Sequence, residues 1–257
     1  MHSFYLPPHA WREPYLLEGQ EARHLLKVMR ARPGDALRLF DGQGREGVFI
    51  LDDHERNRAF LSPVDLAPAR PRQPGAHLAL GWSKTSRRGW LLEKTVELRA
   101  ASLVFWQAAR SQGRVPESPK ATWRDQCIVA AKQCGNPWLP DLETAPGGAR
   151  ELIDKSACFS RRVVLWEGPD TQAMFDPGDM PVADDVFLVL GPEGGLTRDE
   201  VELFEDAGFT PLSLGQSILR WETATLLCLG LLYWREEKIS YATTKDVADA
   251  SDRTSPR

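Results

Sequence analysis

The sequence predicts an α/β fold, with a small β-rich domain ahead of a parallel sheet that carries helices on both faces. Three observations predict it. From residue 76 onward, strand-like apolar runs alternate with segments of helix length, the texture of a parallel sheet covered on both sides. Before that, the runs GDALRLF and REGVFILDD meet at Asp41-Gly42-Gln43-Gly44, a hairpin signal. Between the two textures, APARPRQPG (67–75) holds three prolines and a glycine, the composition of a linker. The expected division is a β-rich domain over 1–70, a linker over 71–76, a larger domain over 77–238 and a polar, disordered tail over 239–257.

In chain order, QEARHLLKVMR (20–30) puts Ala22, Leu25, Leu26 and Met29 on one helical stripe. The hairpin follows, and RAFLSPVDL (58–66) supplies another strand. In the larger domain HLALGW, SLVFWQ, RRVVLWE, VFLVL and FTPLSL read as strands. The helices expected among them are RRGWLLEKTVELRA, PKATWRDQCIVAAKQCG, TRDEVELFEDAG and RWETATLLCLGLLYWREE. Thr197 with Glu200 forms a capping-box pattern at the start of the third of these, and Gly208 ends it.

Bulk numbers narrow the class without naming a partner. The chain has 257 residues, 42% apolar and 26% charged, with a net charge of −4. Residues 1–75 carry a net +1 and the remainder −5, a mild asymmetry pointing weakly to polyanion contact in the N-terminal part. Cys127, Cys134, Cys158 and Cys228 show neither zinc-ligand spacing nor a disulfide framework. Mostly buried, reduced thiols are expected of them. The first residues lack the layout of a signal peptide, and the apolar run LLCLGLLYW (226–234) is too short to span a membrane. A cytoplasmic protein is expected.

The chemistry concentrates in GPEGGLTRDE (191–200), which follows the buried-looking run VFLVL. A phosphate at the start of the next helix is one reading. The P-loop, however, requires Lys-Ser/Thr where this chain has Leu196-Thr197, and the dinucleotide glycine spacing also fails. Glu193 would repel a phosphate. Some twenty residues on, FTPLSL ends in Gly215-Gln216-Ser217 before ILRWETAT opens another helix. A single such turn equally suits a tight strand-to-helix corner with no ligand. Two glycine turns that can sit side by side at the carboxyl edge of one sheet favour a ligand site. Glycine-lined backbone with Glu193 and Glu222 nearby suits a cationic purine ligand, and S-adenosylmethionine fits better than ATP or NAD. Taken alone, Arg220 is an ordinary solvated residue at a helix start and Glu222 an ordinary first-turn carboxylate.

The long stretch LGPEGGLTRDEVELFEDAGFTPLSLGQSILRWETA resembles the C-terminal signature of the SPOUT-class methyltransferases that modify N3 of a uridine in 16S ribosomal RNA. HLLKVMRARPGDALRLFDGQG resembles that family's N-terminal PUA-like barrel. SKTSRRGWLLEKTVEL resembles the start of its catalytic domain, and AAKQCGNPWLP its central helix and turn. The resemblance covers residues 3–236. It implies a SPOUT-type parallel sheet with a C-terminal trefoil knot, S-adenosyl-L-methionine in the knot, a homodimer, and 16S rRNA or the small ribosomal subunit as partner, with no metal and no membrane.

The resemblance also assigns residues. Leu190, Gly191, Glu193, Gly194 and Gly195, with Leu214, Gly215, Ile218 and Leu219, would bind the cofactor. Arg220 would stabilise the charge that develops when N3 loses its proton, and Glu222 would orient Arg220 or accept that proton. The resemblance implies that the PUA-like domain helps grip RNA. From charge and position alone, Arg30 and Arg32 beside the barrel and Lys84 and Arg87 before a helix are the expected phosphate contacts, although each singly also suits a solvated face. Three positions depart from the family pattern: Trp221 where threonine is common, Asn136 where arginine is frequent and Arg99 where glycine is usual. A non-catalytic RNA-binding protein of this architecture, or a methyltransferase acting on another base, remains open on the sequence.

Overall fold

The computed structural model describes residues 1–168, 171, 173–180 and 184–253, with side chains through residue 242. Its elements begin with β1 (Ser3–Tyr5), β2 (Tyr15–Glu18), α1 (Gly19–Arg23), β3 (Ala36–Phe40), β4 (Glu46–Glu55) and β5 (Arg58–Leu66). Then come β6 (Ala76–Gly81), α2 (Arg88–Glu97), β7 (Ser102–Trp106), α3 (Ala121–Cys134), β8 (Asp141–Ala145) and α4 (Ala149–Lys155). The chain closes with β9 (Arg161–Leu165), β10 (Val186–Leu190), α5 (Arg198–Asp206), β11 (Thr210–Leu212) and α6 (Trp221–Arg253). Two compact units result. One takes in Met1–Gln73, Leu92–Glu97 and Lys120–Pro140, and the other Pro74–Leu91, Leu98–Pro119 and Asp141–Arg257.

The first unit is built on a five-stranded sheet in the order β1-β3-β4-β5-β2. The expected hairpin joins β3 to β4. Its corner is held by the fully buried Asp41, whose carboxylate accepts from the amides of Gln43 (2.7 Å) and Arg45 (3.0 Å) and from Arg45 Nε (2.6 Å). Gly42 and Gly44 take φ of 78° and 86° there, which glycine adopts without strain. The stripe of residues 20–30 packs as expected, with Ala22 and Leu25 buried and Leu26 and Met29 against the same core. Its helix widens after α1, where Met29 N donates to His24 O (3.0 Å), an i→i+5 bond.

The helix α3, which sequence texture places in the alternating half, belongs to this first unit. Lys132 Nζ reaches Glu21 (2.9 Å), Leu139 N donates to Gly42 O (3.0 Å) and Gly44 N to Pro137 O (3.2 Å). Asn136 serves the same turn. Its Oδ1 accepts from Trp138 N and its Nδ2 donates to Val96 O, both at 3.0 Å. This departure from the family pattern therefore performs a structural task, shaping the turn that docks beside the hairpin.

The second unit holds a six-stranded, wholly parallel sheet in the order β11-β9-β10-β6-β7-β8. Every residue of β7 and β10 is buried, as a sheet covered on both faces requires. Strand β8 and helix α4 were not legible, because DLETAPGGARELIDK mixes polar residues and glycines with little periodicity. Helix α6 continues to Arg253, through the stretch expected to be disordered. No glycine or proline interrupts residues 231–255, so backbone chemistry does not end the helix where polarity suggested. Arg99 takes φ 57° after α2, where glycine would be unstrained. Its guanidinium bonds Glu237 (2.6 Å) and lies 5.3 Å from the Tyr233 ring centroid, contacts that glycine could not make.

Both halves of the capping box at the start of α5 are formed: Thr197 Oγ1 accepts from Glu200 N (3.2 Å), and Glu200 Oε2 from Thr197 N (2.9 Å). Thr197→Ala is expected to cost about 1 kcal/mol and lower Tm by roughly 2–4 °C, measured by calorimetry without ligand. Among the described residues, no helix is long and apolar enough to cross a membrane, and no group of three or more His, Cys, Asp or Glu is arranged to hold a metal ion. Two of the four thiols, Cys134 and Cys158, are exposed, against the expectation of burial. Burial pushes the Cys127 thiol up to about 12 and that of Cys228 upward as well, so neither supplies a thiolate near neutrality.

Candidate active site

A cavity of about 470 Å³ opens in the second unit, lined by residues that follow β6, β9, β10 and β11. Those four strands are neighbours in the sheet, and all present their carboxyl ends, the edge where open α/β sheets take ligands. The volume falls within the range of small-molecule and cofactor sites.

Both glycine turns reach this cavity. Leu190, Gly191, Glu193 and Gly195 line it from the β10 side, and Leu214, Gly215, Ile218 and Leu219 from the β11 side. Gly194 does not line it and backs onto Arg110 instead. The two turns are not on adjacent strands, since β9 runs between β10 and β11. Its continuation, Trp166 and Glu167, forms a further wall. That wall was not among the residues expected from the sequence, although RRVVLWE carries a signal for it, a carboxylate placed just beyond a buried strand.

The first turn is tightly built. Gly195 N donates to Pro192 O (2.8 Å), and Gly195 takes φ 73°. A Cβ on Gly191 would lie 2.9 Å from Leu196 Cγ and 3.1 Å from Gly195 C, so the turn closes on itself only without a side chain there. On the loop after β7, Arg110 Nη1 donates to the carbonyls of Gly194 (3.1 Å) and Leu196 (3.3 Å). The second turn is stapled by Ser213, whose Oγ accepts from Gly215 N and donates to Gly215 O, both at 3.1 Å.

Arg220 and Glu222 also line the cavity, at the start of α6. Glu222 is only 6% exposed, and its carboxylate is ion-paired with Arg87, not with Arg220. Arg87, expected among the RNA contacts, is thus a cavity residue as well. Pairing of Arg87 with Glu222 leaves Glu167, Glu193 and Arg220 as the other charged groups lining the cavity, a balance that favours a cationic ligand over a polyphosphate. Trp221 is buried, with its ring centroid 6.5 Å from that of Phe105. Its departure from the family pattern thus fills core and leaves Arg220 and Glu222 in place at the cavity.

The remaining RNA candidates lie on the surface. In the second unit Lys84 is exposed and passes close over Gly113. In the first unit Arg30 and Arg32 are exposed just after the widened helical turn. Arg30 takes φ 55°, and Arg32 N donates to Asp35 Oδ2 (2.8 Å).

A family model described as an RNA methyltransferase domain matches residues 71–233, more than half of the chain. The chain belongs to this RNA methyltransferase family. A second model, an RNA methyltransferase PUA domain, matches residues 17–64, within the β-rich unit. The Ribosomal RNA small subunit methyltransferase E of Bacillus subtilis is 25% identical over 236 residues, which cover 87% of this chain and 91% of that protein. A crystal structure of a probable rRNA-methyltransferase from Porphyromonas gingivalis matches this methyltransferase with a TM-score of 0.81 at 29% identity, covering 93% and 100% of the two chains. The Ribosomal RNA small subunit methyltransferase E of Neisseria gonorrhoeae, solved bound to S-adenosyl methionine, gives a TM-score of 0.75 at 28% identity, covering 90% and 95%. The α/β methyltransferase fold and its PUA-like companion, expected from the sequence, are thus shared with these relatives.

Proposed function

We propose that this methyltransferase transfers a methyl group from S-adenosylmethionine to N3 of a uridine in 16S ribosomal RNA, acting as a cytoplasmic homodimer. The observation that carries the reading is the cavity walled by two glycine turns, with Glu167 and Glu193 supplying the negative charge a sulfonium cofactor attracts. The S-adenosyl methionine bound by the gonococcal relative supports it, as does the small-subunit ribosomal RNA named for the relatives. Residues 1–70 serve as the RNA-binding domain and 77–238 as the catalytic one. The trefoil knot implied by the resemblance belongs to the same reading.

The cofactor, when bound, supplies an electrophilic methyl group, and the transfer is a direct displacement that depends on alignment. Leu190, Gly191, Glu193 and Gly195, with Leu214, Gly215, Ile218 and Leu219, would hold the cofactor along the walls of the cavity. Uracil N3 must first lose its proton, which throws negative charge onto O2 and O4. Arg220 sits at the cavity with a guanidinium that stays charged at any working pH, and stabilises that charge. Glu222 anchors Arg87 at the cavity, which leaves the carboxylate engaged, so the N3 proton passes to bulk solvent. As the N3–methyl bond forms, the sulfonium–methyl bond breaks and a neutral thioether is left.

Mapping methylated nucleosides by mass spectrometry in 16S RNA from a strain lacking the gene tests the whole reading. A single missing N3-methyluridine is expected, and an unchanged RNA would refute it. RNA binding through Arg30, Arg32, Lys84 and Arg87 is expected to weaken steeply with salt, with a log–log slope of about −0.7 for each phosphate contact on single-stranded RNA. Titrations between 50 and 200 mM salt (roughly the range where counterion release dominates) measure that slope, and a flat response would remove these residues from the RNA surface.

A further inference from the structure

We infer that Arg110 is a positioning residue for the cofactor turn, setting affinity for S-adenosylmethionine from outside the cavity. The inference rests on the cofactor reading above and adds a residue that the sequence did not single out. Arg110 does not line the cavity. It lies behind the turn, where its guanidinium donates to the carbonyls of Gly194 (3.1 Å) and Leu196 (3.3 Å). Those two carbonyls bracket Gly195, which faces the cavity at φ 73°.

A second, independent fastening joins the same two segments. Glu200 Oε1 accepts from the amide of Ala109 (2.8 Å), while Oε2 closes the capping box on Thr197. The loop carrying Arg110 is itself braced. Ala108 N donates to Ser111 Oγ (2.9 Å), and Gln107 bonds Gly113 O (3.2 Å) and Val115 N (2.9 Å) through its two amide ends. A braced loop therefore grips the turn on both sides of Gly195. Gly194 completes the fit: a Cβ there would stand 3.1 Å from Arg110 Cβ and 3.3 Å from Arg110 O.

The grip matters because a glycine-rich turn has many conformations open to it when unrestrained. Any that must be abandoned on binding weaken the ligand, since apparent affinity scales with the fraction of protein in the competent state. Hydrogen bonds from a charged donor are the stronger kind, and two of them converge on three residues of backbone. Without them the turn spreads over alternatives and cofactor affinity falls, while the chemistry at Arg220 is untouched.

Arg110→Met is the informative variant, because it keeps an aliphatic stem beside Gly194 and removes every donor. Calorimetry on the full chain is expected to show Kd for S-adenosylmethionine raised about 10-fold, with KM for the cofactor raised in step. Expected alongside are kcat within about twofold of wild type, unchanged RNA affinity and an apo Tm within about 2 °C of wild type. Arg110→Lys, which restores one donor, is expected to recover part of the loss. Wild-type cofactor affinity in Arg110→Met would overturn the inference, and so would equal losses in Tm, RNA affinity and kcat, the mark of general destabilisation. Should Arg110→Met fail to fold, Arg110→Lys decides by whether its Kd rises without a fall in Tm. A wild-type protein that does not bind S-adenosylmethionine would instead sink the cofactor reading itself.

Discussion

Arg220→Ala is expected to lower kcat by about 10²–10³-fold at saturating cofactor and RNA, the usual cost of removing a fixed donor from a developing oxyanion. The charge on O2 and O4 of uracil exists only once the N3 proton has begun to leave. A donor that meets it acts on the transition state and barely on the ground state. Kd for S-adenosylmethionine should therefore move little, and the loss should appear in kcat and in kcat/KM for RNA together. Arg220→Lys keeps the charge but not the planar fork, and is expected to recover only part of the rate. Single-turnover methyl transfer with tritiated cofactor measures this, separating chemistry from product release. Wild-type turnover in Arg220→Ala would remove the residue from the reaction.

The partner of Glu222 is the point at which the structure changes the mechanism expected from the sequence. Neighbouring positions Arg220 and Glu222 suggested a pair, but Arg220 stands just before α6 and Glu222 in its first turn, and positions two apart at a helix start do not face each other. Glu222 turns inward and takes Arg87, which stands just before α2 and is 135 residues distant in sequence. No local pattern could have indicated that pairing. It depends on β6 and α6 being brought to the same cavity, a consequence of sheet order.

The same distinction separates what was legible from what was not. The glycine turns, the capping box at Thr197, the hairpin at Asp41 and the buried strands are local, and each carried a periodicity or turn signal of its own. The wall formed by Trp166 and Glu167 and the brace from Arg110 depend on strand order, with β9 seated between β10 and β11. The helix α3 is a further case. Its apolar residues fitted an alternating α/β pattern equally well, yet Lys132 and the turn after it bond the first unit. Periodicity says that a face is buried and cannot say against what.

Gly81→Ala is expected to damage cofactor binding from a position that never touches the cavity. Gly81 ends β6, paired through the sheet with β10 and β7. A Cβ there would collide with Pro192 N and lie 2.6 Å from Pro192 Cδ and 2.7 Å from Gly191 C. Two of those atoms are backbone and the third belongs to a rigid ring, so no side chain can swing aside to make room. Relief has to come from moving the glycine turn away from β6. Overpacking of this kind typically costs about 1–3 kcal/mol, a fall in Tm of roughly 2–10 °C, and the displaced turn is one wall of the cofactor cavity. Affinity for S-adenosylmethionine is therefore expected to drop more than 10-fold, beyond the effect of losing Arg110, because the turn is pushed out of place and not merely loosened. Gly230→Ala supplies the contrast. That glycine lies within α6, and a Cβ on it meets nothing within 4 Å. Alanine there is expected to raise stability by about 0.5–1 kcal/mol with cofactor affinity unchanged. Measured side by side by calorimetry, the pair distinguishes a glycine required for the fit of the cofactor turn from one that only loosens a helix. Equal cofactor affinities in the two variants would mean that the approach of β6 to Pro192 does not shape the cavity.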